Sequence, residues 1–440
     1  MKFSTLIVLS AKYLIRYRRR YFFLFLALSL GFSIVTLLSA VKDSMDANVY
    51  KSAQDHYAGD IVAVGQDSSY SRNSRFSAEA KAELYRTLEA AKLKDARLTD
   101  AHTVERTIFG NEGMLYYNGS ALRLKYVVGV DWDNEAGYFD SLKYRERITE
   151  NVAGRQGIYL SAPVAAQLNA RLGDSLVLEI DTRRGQKNTA FFIVDGIVED
   201  STIFGYYKAY IDRVTLNRLL LFGDEDCSMV GIFIDNRADA EKTRRLLQGD
   251  LETRIQTGPL VYDRDELERA RGVPFEGIKI FLLTIPVYLS EVAELLVAMN
   301  IVTYFLYIMM LIIMMVSALV TYRLILHERR RELGTMRVIG FYGADIRFVL
   351  MLETLGLALV SLGAGMILAL IFQWIVTFIP FSWFPSFDIF LEDGKLRTLY
   401  LPRTMTVNIL AVFVSLFLAA LIPVYRSSRA PLPGMLSGGR

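Results

Sequence analysis

Four stretches of the chain are apolar for long enough to cross a bilayer, which takes roughly 20 residues of helix. They are 21–41, 295–322 (within an expected span of 291–326), 348–379 and 404–425, the third interrupted near its start by Glu353. The first block begins 20 residues in and is longer than a signal-peptide core, so it is expected to stay as a membrane helix. Ahead of it, Phe3, Leu6, Ile7, Tyr13, Leu14 and Tyr17 recur at helical spacing while Lys12, Arg16 and Arg19 fall on another face. That pattern predicts, over 1–20, an amphipathic helix lying at the membrane surface.

The long interval 42–290 has the texture of a folded domain. "GDIVAVG" at 59–65 reads as a short strand, and "SAEAKAELYRTLEAAK" from Ser77 as an amphipathic helix capped by that serine. A similar unit returns at "MVGIFID", from Met229, followed by the helical "RADAEKTRRLLQGDLETR". Between them, "LKYVVGVD", "GDSLVLEI" and "TAFFIVDGIV" combine β-branched and aromatic residues with turn formers, as strands do. The predicted fold is therefore a membrane α-helical protein with four transmembrane helices and a large extracytoplasmic α+β domain, a split βαβ subdomain carrying a β-rich insertion.

Charge orients these elements. Lys2, Lys12, Arg16, Arg18, Arg19 and Arg20 precede the first helix, and Arg323, Arg329, Arg330, Arg331, Arg337 and Arg347 lie in or beside the segment 327–347. The interval 42–290 holds 32 basic and 38 acidic residues, and the loop 380–403 is balanced at three each. Positive loops stay in the cytoplasm. Both termini, including the tail 426–440, and the 327–347 loop are thus expected inside, with 42–290 and 380–403 outside.

Chemistry-bearing motifs are sparse. The chain lacks a G-x-x-x-x-G-K-[ST] phosphate loop, H-E-x-x-H and G-x-S-x-G. One cysteine, Cys227, leaves no disulfide framework, and His56, His102 and His327 lie far apart without ligand spacing. No catalytic, cofactor or metal residues are expected. Basic clusters occur at membrane borders and the large domain is net acidic, which argues against nucleic acid.

The stretch "HERRRELGTMRVIGFYGADI", 327–346, sets charge and glycine between two apolar blocks. Its start can continue the second membrane helix, after which Gly334 and Gly340 would permit turns on either side of a short surface helix. Glu328, Arg329, Arg331, Glu332, Gly334, Arg337, Gly340 and Ile346, with Glu353 beyond, resemble the E-R-x-R-E-[IL]-G-x-[LM]-R-x-[IL]-G…I…E motif of permeases of the MacB, FtsX and lipoprotein-releasing (LolC/LolE-like) ABC-transporter superfamily. "KYLIRYRRR", "GIYLSAPVAAQLNARLGDSLVLEI" and "IPVYRSSRAPLPGML" are similar to further parts of that family. Val338 and Phe341 depart from its small residues.

The resemblance implies a non-catalytic, inner-membrane permease acting by mechanotransmission. It would pair with a second permease subunit, as a homo- or heterodimer, above two copies of a cytoplasmic ABC ATPase that holds ATP and Mg. Glu328, Arg329, Arg331, Glu332 and Arg337 would dock or orient the coupling segment, Gly334 and Gly340 would shape it, and Glu353 would pair with an arginine at the helix entrance. The leading task implied is lipoprotein release, with a periplasmic carrier as a further partner. Its alternatives are MacB-like export of periplasmic peptides or small molecules and FtsX-like activation of a cell-wall hydrolase. For release, a lipid-accepting cavity is expected along Phe32, Val35, Leu296, Met299 and Tyr304, which follow helical spacing near the outer ends of the first two membrane helices.

Overall fold

The structure, a computed structural model, describes residues 3–68, 75–95, 98–148, 156–182, 185–199, 204–205, 207–379 and 399–429. In chain order the elements begin with α1 (Phe3–Arg16), α2 (Arg18–Tyr57), β1 (Ile61–Asp67), α3 (Ala78–Lys94), β2 (His102–Tyr117), β3 (Ser120–Val130), α4 (Ala136–Ser141) and β4 (Tyr144–Arg147). They continue with β5 (Gly157–Ser161), α5 (Ala162–Leu168), β6 (Ser175–Asp181), β7 (Lys187–Val198), β8 (Lys208–Asp212), α6 (Arg213–Leu220), β9 (Met229–Phe233), α7 (Ala240–Leu251), α8 (Arg264–Arg271) and β10 (Ile278–Thr284). The last are α9 (Ile285–Tyr288), α10 (Ser290–Glu328), α11 (Arg330–Val338), α12 (Gly343–Thr377) and α13 (Pro402–Arg429). The described residues form two compact units, one drawn from 3–46, 295–379 and 399–429, the other from within 47–294.

In the first unit, α2, α10, α12 and α13 are long and apolar enough to cross a membrane. They meet in a core of Leu24, Leu28 and Val35 from α2, Met314 and Ala318 from α10, Leu357 and Leu362 from α12, and Val412 and Leu416 from α13. Because lipid is as apolar as leucine, small residues that admit close packing decide such contacts. A Cβ on Gly31 would lie 2.5 Å from Met314 Sδ, and one on Gly365 would lie 2.7 Å from the Ser29 carbonyl. Ser29 donates to the Ser361 carbonyl at 3.1 Å across the same contact. Of these four helices α10 is the least enclosed by the rest of the chain.

The second unit is built on one shared strand. The order β10-β1-β9-β2 is antiparallel at each step, so β1 and β2 point the same way with β9 between them. The helices α3 and α7 cover this sheet, burying Leu84, Leu88, Leu247 and Leu251 against Ile61, Val230 and Ile280. Helix α3 starts where local chemistry directs, the Ser77 side chain accepting from the Ala80 amide at 3.3 Å.

Past Arg106, β2 leaves β9 and pairs with β3, bulging between Gly110 and Gly113, while its other edge takes β6. The pairings β2-β3-β8-β5-β7-β6 return to β2, so these six strands close a barrel. Alternating inward residues fill it, including Phe109, Leu115, Leu124, Ile158, Leu178, Phe192 and Val194. The β-rich insertion expected from sequence is thus a closed barrel sharing its longest strand with the α/β sheet.

Candidate functional site: the segment between the second and third membrane helices

Helix α10 runs on to Glu328 without a break, Arg329 forms the joint, and α11 follows at once. The inner side of α11 is apolar: Leu333 packs with Leu326, Ile346, Leu350 and Val424. Its outer side carries Arg330, Arg331 and Thr335, and Val338, its last residue, and Ile339 and Tyr342 beyond it stand 65%, 73% and 79% exposed. Gly340 has φ +104°, a conformation that side chains rarely adopt, and it closes the helix with hydrogen bonds from Gly340 to Arg337 and from Phe341 to Met336. Gly334 does not form a turn. It is buried within α11.

The motif arginines differ in exposure. Arg331, like its neighbour Arg330, is exposed and Arg337 is half-buried, whereas Arg329 is 1% exposed despite its charge. Arg329 Nη1 donates to Glu353 Oε2 at 2.7 Å and Nη2 to Oε1 at 3.3 Å. Tyr21 donates its hydroxyl to the same carboxylate at 2.9 Å. The guanidinium also lies 4.8 and 4.9 Å from the ring centres of Tyr13 and Tyr17. A buried charge is tolerated only when paired and hydrogen-bonded, and here one cation draws partners from α1, α2 and α12. Glu353 was expected to meet an arginine at the helix entrance; its partner is Arg329, not the nearer Arg347.

Around this centre lies a second tier. Tyr17 donates a short hydrogen bond to Glu332, and Arg20 pairs with Glu328 at 2.9 Å. Lys12, Arg16, Arg18 and Arg19 remain exposed on α1 and the start of α2. Leu14 reaches Gly356 of α12, so α1 is seated on the bundle through its apolar side; the side chains of Phe3, Leu6 and Ile7 lie outside the described residues. The tyrosines were legible only as apolar helix positions. What could have marked them is the alignment of hydroxyl-bearing rings at 13, 17 and 21, one helical face, opposite a motif arginine.

The expected cavity residues are not brought together as one lining. Phe32 and Val35 are fully buried in the bundle core, with Phe32 against Gly365, because their face of α2 is the one covered by the chain's own helices. Leu296 and Met299 are half-buried and Tyr304 is 59% exposed. Phe32 and Val35 are therefore withdrawn from the surface a lipid would meet in this chain, while Tyr304 remains on it. The loop expected at 380–403 lies outside the described residues over 380–398, as does the tail over 430–440. Among the described residues, none of the histidine, cysteine or carboxylate groupings could hold a metal ion.

Residues 304–432 match the family model described as FtsX-like permease C-terminal. The match spans the motif and the three membrane helices around it, and bears out the FtsX-type permease resemblance over that part of the chain. Among solved structures, the periplasmic region of MacB from Actinobacillus actinomycetemcomitans is similar at 13% identity and TM-score 0.29, over 55% of this chain and 95% of that one. A likeness that slight carries no argument about this chain. None of the curated proteins compared matches it significantly.

Proposed function

We propose that the chain is the membrane subunit of an ATP-driven machine that moves an extracytoplasmic domain rather than performing chemistry itself. The observation that carries this reading is α11: a short helix with a basic and apolar outer face, whose root at Arg329 is paired with Glu353 of the membrane helix α12. Interiors are close-packed and transmit displacement. A push on α11 is therefore passed to the bundle instead of being absorbed by a loop. The 40-residue α2 is roughly 60 Å long, about twice the hydrocarbon core, which suits a lever reaching beyond the membrane.

On this reading the 327–347 segment and both termini are cytoplasmic, 42–290 is outside the inner membrane, and a separate ATPase, binding ATP and Mg, docks on Arg330, Arg331, Val338 and Ile339. The test is to replace Val338 and Ile339 by aspartate in the full chain. ATPase co-purification and permease-stimulated ATP turnover should both fall while membrane insertion is kept. Undiminished binding would reject α11 as the docking element.

The work done outside is lipoprotein release in our reading, supported by the apolar, exposed flank of α10, where Val297, Ile301 and Tyr304 lie near the outer end. A photocrosslinking residue at Tyr304 should capture a lipoprotein without ATP and lose it on turnover. Capture of membrane helices alone in every nucleotide state would replace this task with peptide export or hydrolase control.

A further inference from the structure

Two acids of the motif, Glu328 and Glu332, would be offered to a docked ATPase by the family resemblance. In the fold both are engaged from within the chain, by the N-terminal segment. Arg20 Nη1 pairs with Glu328 Oε2 at 2.9 Å, and Tyr17 donates its hydroxyl to Glu332 Oε1. Arg329, between the two acids, has Tyr13 and Tyr17 stacked 6.2 Å apart, with both rings facing its guanidinium at 4.8 and 4.9 Å. Three successive turns of the N-terminal segment, marked by Tyr13, Tyr17 and the adjacent Arg20 and Tyr21, thus contact one joint.

We infer that this N-terminal segment is the arm by which α11 moves the first membrane helix, with Tyr17 as its positioning residue. The inference rests on the ATPase reading above and adds where the force goes after docking. The contacts are unequal. Arg20 and Glu328 are 44% and 43% exposed, so their ion pair is screened and contributes little. Tyr17 acts through a charged acceptor and through a desolvated arginine, where a lost contact leaves charge poorly compensated. Displacing α11 outward must either break these contacts or carry α1 and α2 along. Tyr21 of α2 donates to the same Glu353 carboxylate that holds Arg329, so moving α11 without this segment would strip one buried charged centre of several partners at once. The acids therefore belong to the inner linkage, and Arg330, Arg331, Val338 and Ile339 remain for docking.

The test uses the full chain in nanodiscs with the ABC ATPase that co-purifies with it, measuring ATPase affinity, permease-stimulated turnover and melting temperature for each variant. Tyr17→Leu removes hydroxyl and ring. It should bind ATPase within about twofold of the parent yet lose about tenfold or more of the stimulated turnover, the scale of a hydrogen bond to a charged group. Tyr17→Phe, which keeps the ring and has no reason to misfold, should fall between. Glu332→Gln still presents an oxygen to the Tyr17 hydroxyl and should retain most stimulation, whereas Glu332→Ala should resemble Tyr17→Phe. Full stimulation in Tyr17→Leu and Tyr17→Phe would overturn the inference and leave the docking proposal standing, as would affinity falling in step with turnover. If no ATPase binds the parent chain, the functional reading fails and the inference with it.

Discussion

Replacing Glu353 by glutamine asks how much of the bundle depends on one buried charge. The carboxylate is fully buried, holds two hydrogen bonds from Arg329 and one from Tyr21, and has no solvent to substitute for it. The amide retains shape and one acceptor but no charge, so Arg329, itself 1% exposed, loses its buried counter-charge and keeps only the looser 3.4 Å contact of its Nε with the more exposed Glu332 carboxylate. Breaking a buried pair in this way costs about 3–5 kcal/mol, a hundredfold or more in the folded-to-unfolded ratio. Arg329→Met alone should cost a similar amount by orphaning the carboxylate. The double variant Arg329→Met, Glu353→Leu removes both desolvation penalties and should recover to within about 1 kcal/mol of the parent or exceed it. The measurement is a denaturant titration of the purified full chain in detergent micelles, followed by helical circular dichroism, with all four proteins forming a cycle. Single variants costing no more than about 1 kcal/mol, the level of an exposed ion pair, would refute the reasoning. So would a double variant whose loss equals the sum of the two singles.

The remaining expectations concern backbone approach, thiol chemistry and topology. A Cβ on Gly231 would lie 1.7 Å from the Ala58 carbonyl oxygen, backbone against backbone, so Gly231→Ala should cost about 3 kcal/mol in the same titration, and a loss below about 1 kcal/mol would contradict that packing. Burial pushes the Cys227 thiol up to about 12, so the native chain should resist maleimide at pH 8 and react once unfolded; rapid native labelling would count against this burial. The same shift has a sign for stability: above about pH 8.5 the unfolded thiol ionises while the folded one does not, so that group favours unfolding as pH rises, flat below that point. With Cys227 silent, Ser120→Cys should label from outside intact cells and Thr335→Cys only after permeabilisation; external labelling at 335 would invert the proposed topology.

The membrane helices were legible because hydropathy over some twenty neighbours is a local property, and the helix at Ser77 because its cap lies three residues from the amide it accepts. The motif at 328–340 was legible in composition and spacing, and so was Gly340, whose turn is enforced by its own backbone. Gly334 was misplaced from the same kind of evidence, since a glycine suits a turn but can also sit inside a helix, and it is buried within α11, whose neighbouring Leu333 packs with Leu326 and Ile346. The barrel closes through β6 reaching both β2 and β7, a choice among pairings of similar strands that no single segment encodes. Phe32 and Val35 carried helical periodicity without revealing which partner covers their face. The joint at Arg329 joins residues separated by 24 positions to Glu353, while Tyr17 and Glu332 lie 315 apart. Local sequence set the helices that carry these groups; their meeting was decided by packing, because a desolvated charge is stable only where the assembled fold supplies its partners.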